Sequence, residues 1–261
     1  MKSVSSRRGP KTPDGLDQVY GVHALQSLLD RGEAPRELWV QQGAGSRIKE
    51  LIAHAQAHGA KVKEQSRDLL DQLTQGAAHQ GVVAFCPPLT PEGEESLWLK
   101  LRAWPSATPP LLLILDGVTD VHNFGACLRS ADAAGAHGVI VAKDKAAPLN
   151  ATVRKVACGA AEVVPVYQVT NLARTLAKLK DAGVWITGTA GEAEVSVFDI
   201  DMTGPTALVM GAEGKGMRRL TREACDNLAK LPMAGEVSSL NVSVATGICL
   251  FEAVRQRQLA S

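Results

Sequence analysis

Ser238-Ser239-Leu240-Asn241-Val242-Ser243-Val244-Ala245 sets small polar side chains just ahead of an apolar helical pattern that runs to Phe251. Val244, Ile248 and Phe251, and again Val242, Ala245 and Cys249, recur at helical spacing, which predicts a helix burying two adjacent rows, with Ser239 and Asn241 at its N-terminus. A helix start offers unpaired backbone N–H groups and short side chains able to cap it or touch a ligand. Taken alone, an ordinary Asn or Ser cap accounts for this stretch. Gly211-Ala212-Glu213-Gly214-Lys215-Gly216 places one carboxylate among glycines that let a ligand come close to backbone. It lacks the Gly-x-Gly-x-x-Gly order and the Gly-Lys-Ser/Thr ending of the two phosphate cradles, and by itself reads equally well as a charged surface turn. Asn123 can cap a helix on which Arg129 begins the second turn, so that both face the end of a strand. There a guanidinium can fork onto a phosphate, the alternative being a solvated helix Arg. Asp116, Asp120 and His122 resemble a metal set in type, but Asp and Asn in such a loop commonly satisfy local backbone, and no metal is expected. With no Gly-x-Ser-x-Gly elbow and no Cys/His pair, the sequence points away from hydrolytic chemistry.

The elements that must position these residues alternate between helix and strand. Residues 21–30 and 47–58 read as helices, 37–41 as a strand, Val62 as extended, Ser66 as the cap of a helix over 67–73, and 81–85 as an apolar strand, together an α/β domain over residues 18–86. Residues 87–109 are rich in Pro and Glu, broken only by a short apolar turn near Leu97, and read as a linker. Leu111-Leu112-Leu113-Ile114-Leu115 then fits a strand buried on both faces of a parallel sheet. Helices are expected over 123–134, 150–158, 172–182 (capped by Asn171) and near 218–226, and strands over 138–141, 163–166, 184–189, 207–210 and 229–231. This second domain, 110–258, is α/β with a mainly parallel sheet. Ligands bind such sheets outside the carboxyl ends of the strands. The loops leaving the strands there are residues 116–123, Thr189-Ala190-Gly191, 211–216 and 232–241.

Composition bounds the partners. Lys plus Arg (28) and Asp plus Glu (27) nearly cancel, so a polyanion must be met by a local basic patch rather than by bulk charge. The five cysteines are scattered without Cys-x-x-Cys spacing and read as small buried hydrophobes in a reducing compartment. No apolar run reaches membrane-span length and no secretory signal is evident, which makes the cytoplasm the expected location. Residues 1–17, basic and poor in apolar side chains, are expected to be a disordered tail.

Residues 116–131 (Asp-Gly-Val-Thr-Asp-Val-His-Asn-Phe-Gly-Ala-Cys-Leu-Arg-Ser-Ala), residues 208–217 (Leu-Val-Met-Gly-Ala-Glu-Gly-Lys-Gly-Met) and residues 231–245, in this order, closely resemble the three signature motifs of the SPOUT-class SpoU/TrmH family of RNA ribose 2′-O-methyltransferases. Tyr20-Gly21-Val22-His23-Ala24 and His79-Gln80-Gly81-Val82-Val83-Ala84 resemble the small L30-like substrate module of the ribosomal RNA members. The resemblance implies a trefoil-knotted parallel-sheet domain, a homodimer, and S-adenosylmethionine as methyl donor. It further implies that the acceptor is a guanosine ribose in 23S rRNA, with transfer RNA or another ribosomal site, or a noncatalytic RNA-binding module, as alternatives. By motif it assigns the donor site to Thr189, Ala190, Gly191, Met210, Gly211, Leu231, Pro232, Met233, Ser239 and Leu240, and the catalytic set to Asn123, Arg129, Glu213, Ser239 and Asn241. An Arg holds its proton up to a pKa above about 12, so Arg129 is expected to orient a substrate phosphate and to stabilise developing negative charge rather than to act as a base. His79 and Arg154 are candidates for RNA contacts, as are Lys155, Arg218, Arg219 and Arg222, each with a solvated surface role as the alternative.

Overall fold

Strand alternation decides which face of the first sheet each residue serves. The structure, a computed structural model, describes residues 12–105 and 108–260 and divides between Leu89 and Thr90 into two compact units. In the first unit β1 (Asp17–Tyr20), β2 (Glu37–Gln41), β3 (Lys61–Gln65) and β4 (Val82–Cys86) form a sheet in the order β1-β4-β2-β3, with β4 antiparallel to β1 and β2 and β3 parallel to β2. Leu38, Val40, Val82 and Ala84 meet Leu25, Leu28 and Leu51 of α1 (Val22–Asp30) and α2 (Ser46–Ala57). Their odd-even neighbours Trp39, Val83 and Phe85 pack with Leu70 of α3 (Arg67–Thr74) in a separate cluster, as a period of two requires. The central strand β4 is buried along its whole length.

The second unit carries β5 (Glu92–Gly93), α4 (Glu94–Arg102), β6 (Leu111–Asp116), α5 (Val121–Ala133), β7 (Gly138–Ala142), α6 (Ala151–Ala157), α7 (Ala160–Val163), β8 (Val166–Val169), α8 (Leu172–Asp181), β9 (Trp185–Thr189), β10 (Val195–Ser196), β11 (Thr206–Gly211), α9 (Arg219–Glu223), β12 (Asn227–Lys230) and α10 (Val242–Ala260). Its strands pair in parallel in the order β10-β12-β9-β11-β6-β7-β8-β5. β6 and β7 are buried at every residue, which explains their unbroken apolar runs. From β6 the chain builds outward through β7 and β8, then crosses back to β9 and fills the gap between with β11. Such a reversal leaves a crevice at the strand ends. α10 closes the unit by packing on α5 and β11.

Several expectations change here. The supposed linker is largely structure of the second unit: β5 pairs with β8, and α4 buries Leu97 in the main core. Glu94 and Glu95 in the first turn of α4 and Lys100 and Arg102 in its last complement the helix dipole, a charge pattern masked by the prolines around it. Asp17 opens β1 instead of closing a tail; residues 1–11 of that expected tail lie outside the described residues. Val163 ends α7, and the strand expected from it begins at Val166, because Pro165 stands between. α10 buries one row (Val242, Thr246, Cys249, Leu250, Ala253) rather than two, and Val244 and Phe251 stay about half exposed. Burial raises the thiols of Cys127 and Cys249 to about 11 and about 12, as small core residues require, but Cys158 is exposed.

Candidate active site

The carboxyl ends of β9 and β11 open onto a cavity of about 670 Å³. It is lined by Thr189, Ala190 and Gly191 at the end of β9, by Met210 and Gly211 at the end of β11, and by Ser239, Leu240 and Asn241, leading into α10. The turn after β11 folds back on itself: Gly216 N–H donates to the Ala212 carbonyl at 2.8 Å and Ala212 N–H to the Gly216 carbonyl at 3.1 Å. Gly214 and Gly216 make this possible by adopting φ of +72° and +66°, which other residues enter at a cost. A Cβ on Gly211 would overlap the backbone of Gly216 and Met217, so this glycine is fixed by the close return of the chain.

The turn aims Glu213 at the start of α10. Its Oε1 accepts from Asn241 Nδ2 at 2.7 Å and from Val242 N–H at 3.3 Å, a carboxylate set at the positive end of a helix. Asn241 Nδ2 also donates to Asn123 Oδ1 at 2.9 Å, while its own Oδ1 accepts from Ser243 N–H at 2.9 Å. Asn241 is thus both helix cap and hub, which a cap alone would not require. Asn123 is free to join because it does not cap α5: Asp120 does, accepting from Asn123 N–H at 2.8 Å. Three residues separated by up to 118 positions are drawn into one hydrogen-bonded chain. A second cavity, about 460 Å³, lies against the first and is lined by Asn123, Glu213 and Val242.

A family model described as the SpoU rRNA Methylase family matches residues 110–251, and one described as RNA 2′-O ribose methyltransferase substrate binding matches residues 18–92. The chain belongs to the SpoU rRNA methylase family. It is 57% identical over 246 residues to the 23S rRNA (guanosine-2′-O-)-methyltransferase RlmB of Pseudomonas putida, spanning 94% of this chain and 98% of that protein. It is 56% identical over 243 residues to the Escherichia coli protein of the same name, spanning 92% and 99%. Among solved structures it is similar to the SpoU methyltransferase AviRb from Streptomyces viridochromogenes in complex with AdoMet, at 28% identity and a TM-score of 0.75, covering 94% of this chain and 92% of that one.

Not every residue assigned from the SpoU motifs meets at these cavities. Leu231 and Met233 follow β12 and line neither. Arg129 lies six residues beyond Asn123, roughly 9 Å along α5 at the usual helical rise, exposed, with Nη1 donating to Cys158 Sγ at 3.7 Å. The RNA candidates Arg154 and His79 are corrected. Arg154 is 4% exposed; its Nε and Nη2 fork onto buried Glu162, the latter at 3.0 Å, so its charge is spent inside the α6–α7 corner. His79 is 5% exposed, its Nδ1 accepting from Gly81 N–H at 3.0 Å and its Nε2 donating to Asp71 at 2.9 Å, which locks a turn. Arg218 grips fully buried Asp116 through both its backbone N–H at 2.7 Å and Nε at 2.5 Å. Asp116 and Asp120 therefore have structural duties, and among the described residues no group of His, Cys, Asp and Glu is gathered to hold a metal. Arg222, another RNA candidate, pairs with Glu192, which lines the larger cavity and was missed because nothing in the spacing around it marks it.

Proposed function

We propose that this chain transfers a methyl group from S-adenosylmethionine to the ribose 2′-hydroxyl of a guanosine in 23S rRNA, acting in the cytoplasm. The observation that carries the reading is the Asn123–Asn241–Glu213 chain, set at the seam of two adjoining cavities in a sequence 57% identical over 94% of its length to an RlmB protein. The larger cavity suits the donor, because small residues and bare backbone at Ala190, Gly191 and Gly211 leave room for a nucleoside, and Met210 and Leu240 offer apolar surface for its base. S-adenosylmethionine supplies an electrophilic methyl on a sulfonium. The protein's own part is alignment: an in-line displacement gains most from holding the attacking oxygen on axis and near. Glu213 and Asn123 in this reading hold the acceptor hydroxyl, Asn241 fixes both, and Ser239 contacts the reacting ribose from the cavity wall. The fork of Arg129 orients an acceptor phosphate and offsets negative charge developing on the 2′ oxygen.

The first unit serves in this reading as the RNA-binding module, supported by the substrate-binding match, and the second as the methyltransferase. A homodimer is part of the proposal. Val244 and Phe251 form an exposed apolar row on α10, beside the α5 helix that carries Arg129. Pairing through that face removes the row from water, and it accounts for an Arg129 that lines neither cavity of its own chain. The trefoil knot is likewise proposed. It is supported by a chain that inserts β11 between β6 and β9, continues to β12 beyond β9, and returns through α10 to pack on α5 and β11. The test is methylation of unmodified 23S rRNA with labelled donor, followed by mapping of 2′-O-methyl positions. A single modified guanosine in 23S rRNA, and none in transfer RNA, is expected; modification of transfer RNA instead overturns the assignment.

A further inference from the structure

The second cavity holds charges that the site described so far does not use. Three carboxylates border it, and each is already engaged: Asp116 with Arg218, Asp120 as the cap of α5, Glu213 with Asn241 and Val242. Two ammonium groups border it as well, Lys145 and Lys215, both exposed and neither given a hydrogen bond or ion pair among the described residues. Asp116 is matched by the Arg218 guanidinium, and Asp120 and Glu213 already accept from amide donors, while the two lysines remain available to an anion at their edge of the cavity. Lys145 is also held at φ +58°, in the left-handed region that a residue other than Gly, Asn or Asp enters at a cost. The loop from β7 to α6 maintains this backbone and with it the placement of Lys145 on the cavity lining.

Position narrows the anion. The cavity meets the larger one along the turn after β11 and the start of α10, where Ala212, Glu213, Lys215, Gly216 and Val242 line both. A methyl group moving in line from donor to acceptor needs the acceptor on the far side of that seam. We infer that the second cavity seats the acceptor nucleotide of the RNA, and that Lys145, with Lys215 at the seam, is a positioning residue that holds a phosphate flanking the reacting ribose. The inference rests on the proposed methyltransferase reading.

The test uses the full-length chain and Lys145→Asn, since Asn tolerates the left-handed backbone and the variant loses charge without gaining strain. Three quantities are read for each: KM and kcat on unmodified 23S rRNA, S-adenosylmethionine affinity by calorimetry, and the salt dependence of RNA binding. Expected for the variant is a KM for RNA raised about tenfold, the worth of one charge-assisted hydrogen bond, with donor affinity unchanged. The slope of log affinity against log salt should shrink by about one, which a purely structural role would not produce. Lys145→Arg should restore both. An unchanged KM and slope in a variant of an active wild type overturns the cavity assignment alone. A wild-type chain that binds the donor yet methylates no RNA overturns the functional reading, and this inference with it.

Discussion

Gly211 shows how one missing side chain holds the site together. The turn that follows β11 returns so closely that its own backbone fills the space where a Cβ would project, and the surrounding atoms belong to main chain, which cannot swing aside. From that return the carboxylate of Glu213 reaches Asn241 and the first amide of α10. Gly211→Ala should therefore force the turn open. We expect a thermal melting temperature lowered by several degrees, an overpacking cost of about 1–3 kcal/mol, together with loss of measurable donor binding in calorimetry. Wild-type binding in that variant would show that the turn has more freedom than its backbone contacts allow.

Elements explain where the sequence misled. Arg154 lies in a helix whose spacing looks solvent-facing, yet α6 and the short α7 meet at a sharp corner, with Cys158 at φ +53°, that folds Glu162 back over the guanidinium. The pair is worth more as a matched unit than either half. Arg154→Met alone leaves a buried carboxylate without its fork and should destabilise the protein by about 3–5 kcal/mol. Arg154→Met with Glu162→Met should recover most of that loss, as read from urea unfolding midpoints. Recovery absent in the double variant would mean that the corner depends on the charges and not on filled space. α4 makes the same point from the other direction. Prolines on either side suggest a linker, but helix-dipole charges and Leu97 commit residues 94–102 to the second unit's core.

For the whole molecule the open question is whether one chain makes a site. Asn123, Glu213 and Asn241 come together within one chain, and Arg129 does not join them. If pairing through the α10 face supplies Arg129 from the second copy, two inactive variants should complement each other. Randomly mixed Arg129→Ala and Glu213→Ala chains form mixed dimers in about half of cases, each with one intact site of two, so the expected activity is about a quarter of wild type. Activity at background level in the mixture, with mixed dimers present by mass, would place every catalytic group on one chain. The sequence by itself determined the α/β class, the buried parallel strands and the loops that hold Asn123, Glu213 and Asn241. Period-two and period-3.6 patterns are local, and the polar interruptions at Asn123, Glu213 and Asn241 stand out against them. Only the tertiary structure decided which polar residues meet, that Asp120 and not Asn123 caps α5, that Arg154 and His79 are buried, and that a second cavity adjoins the first. Those outcomes depend on which distant segments fold against one another, and contacts across 118 positions leave no mark in the spacing of neighbours.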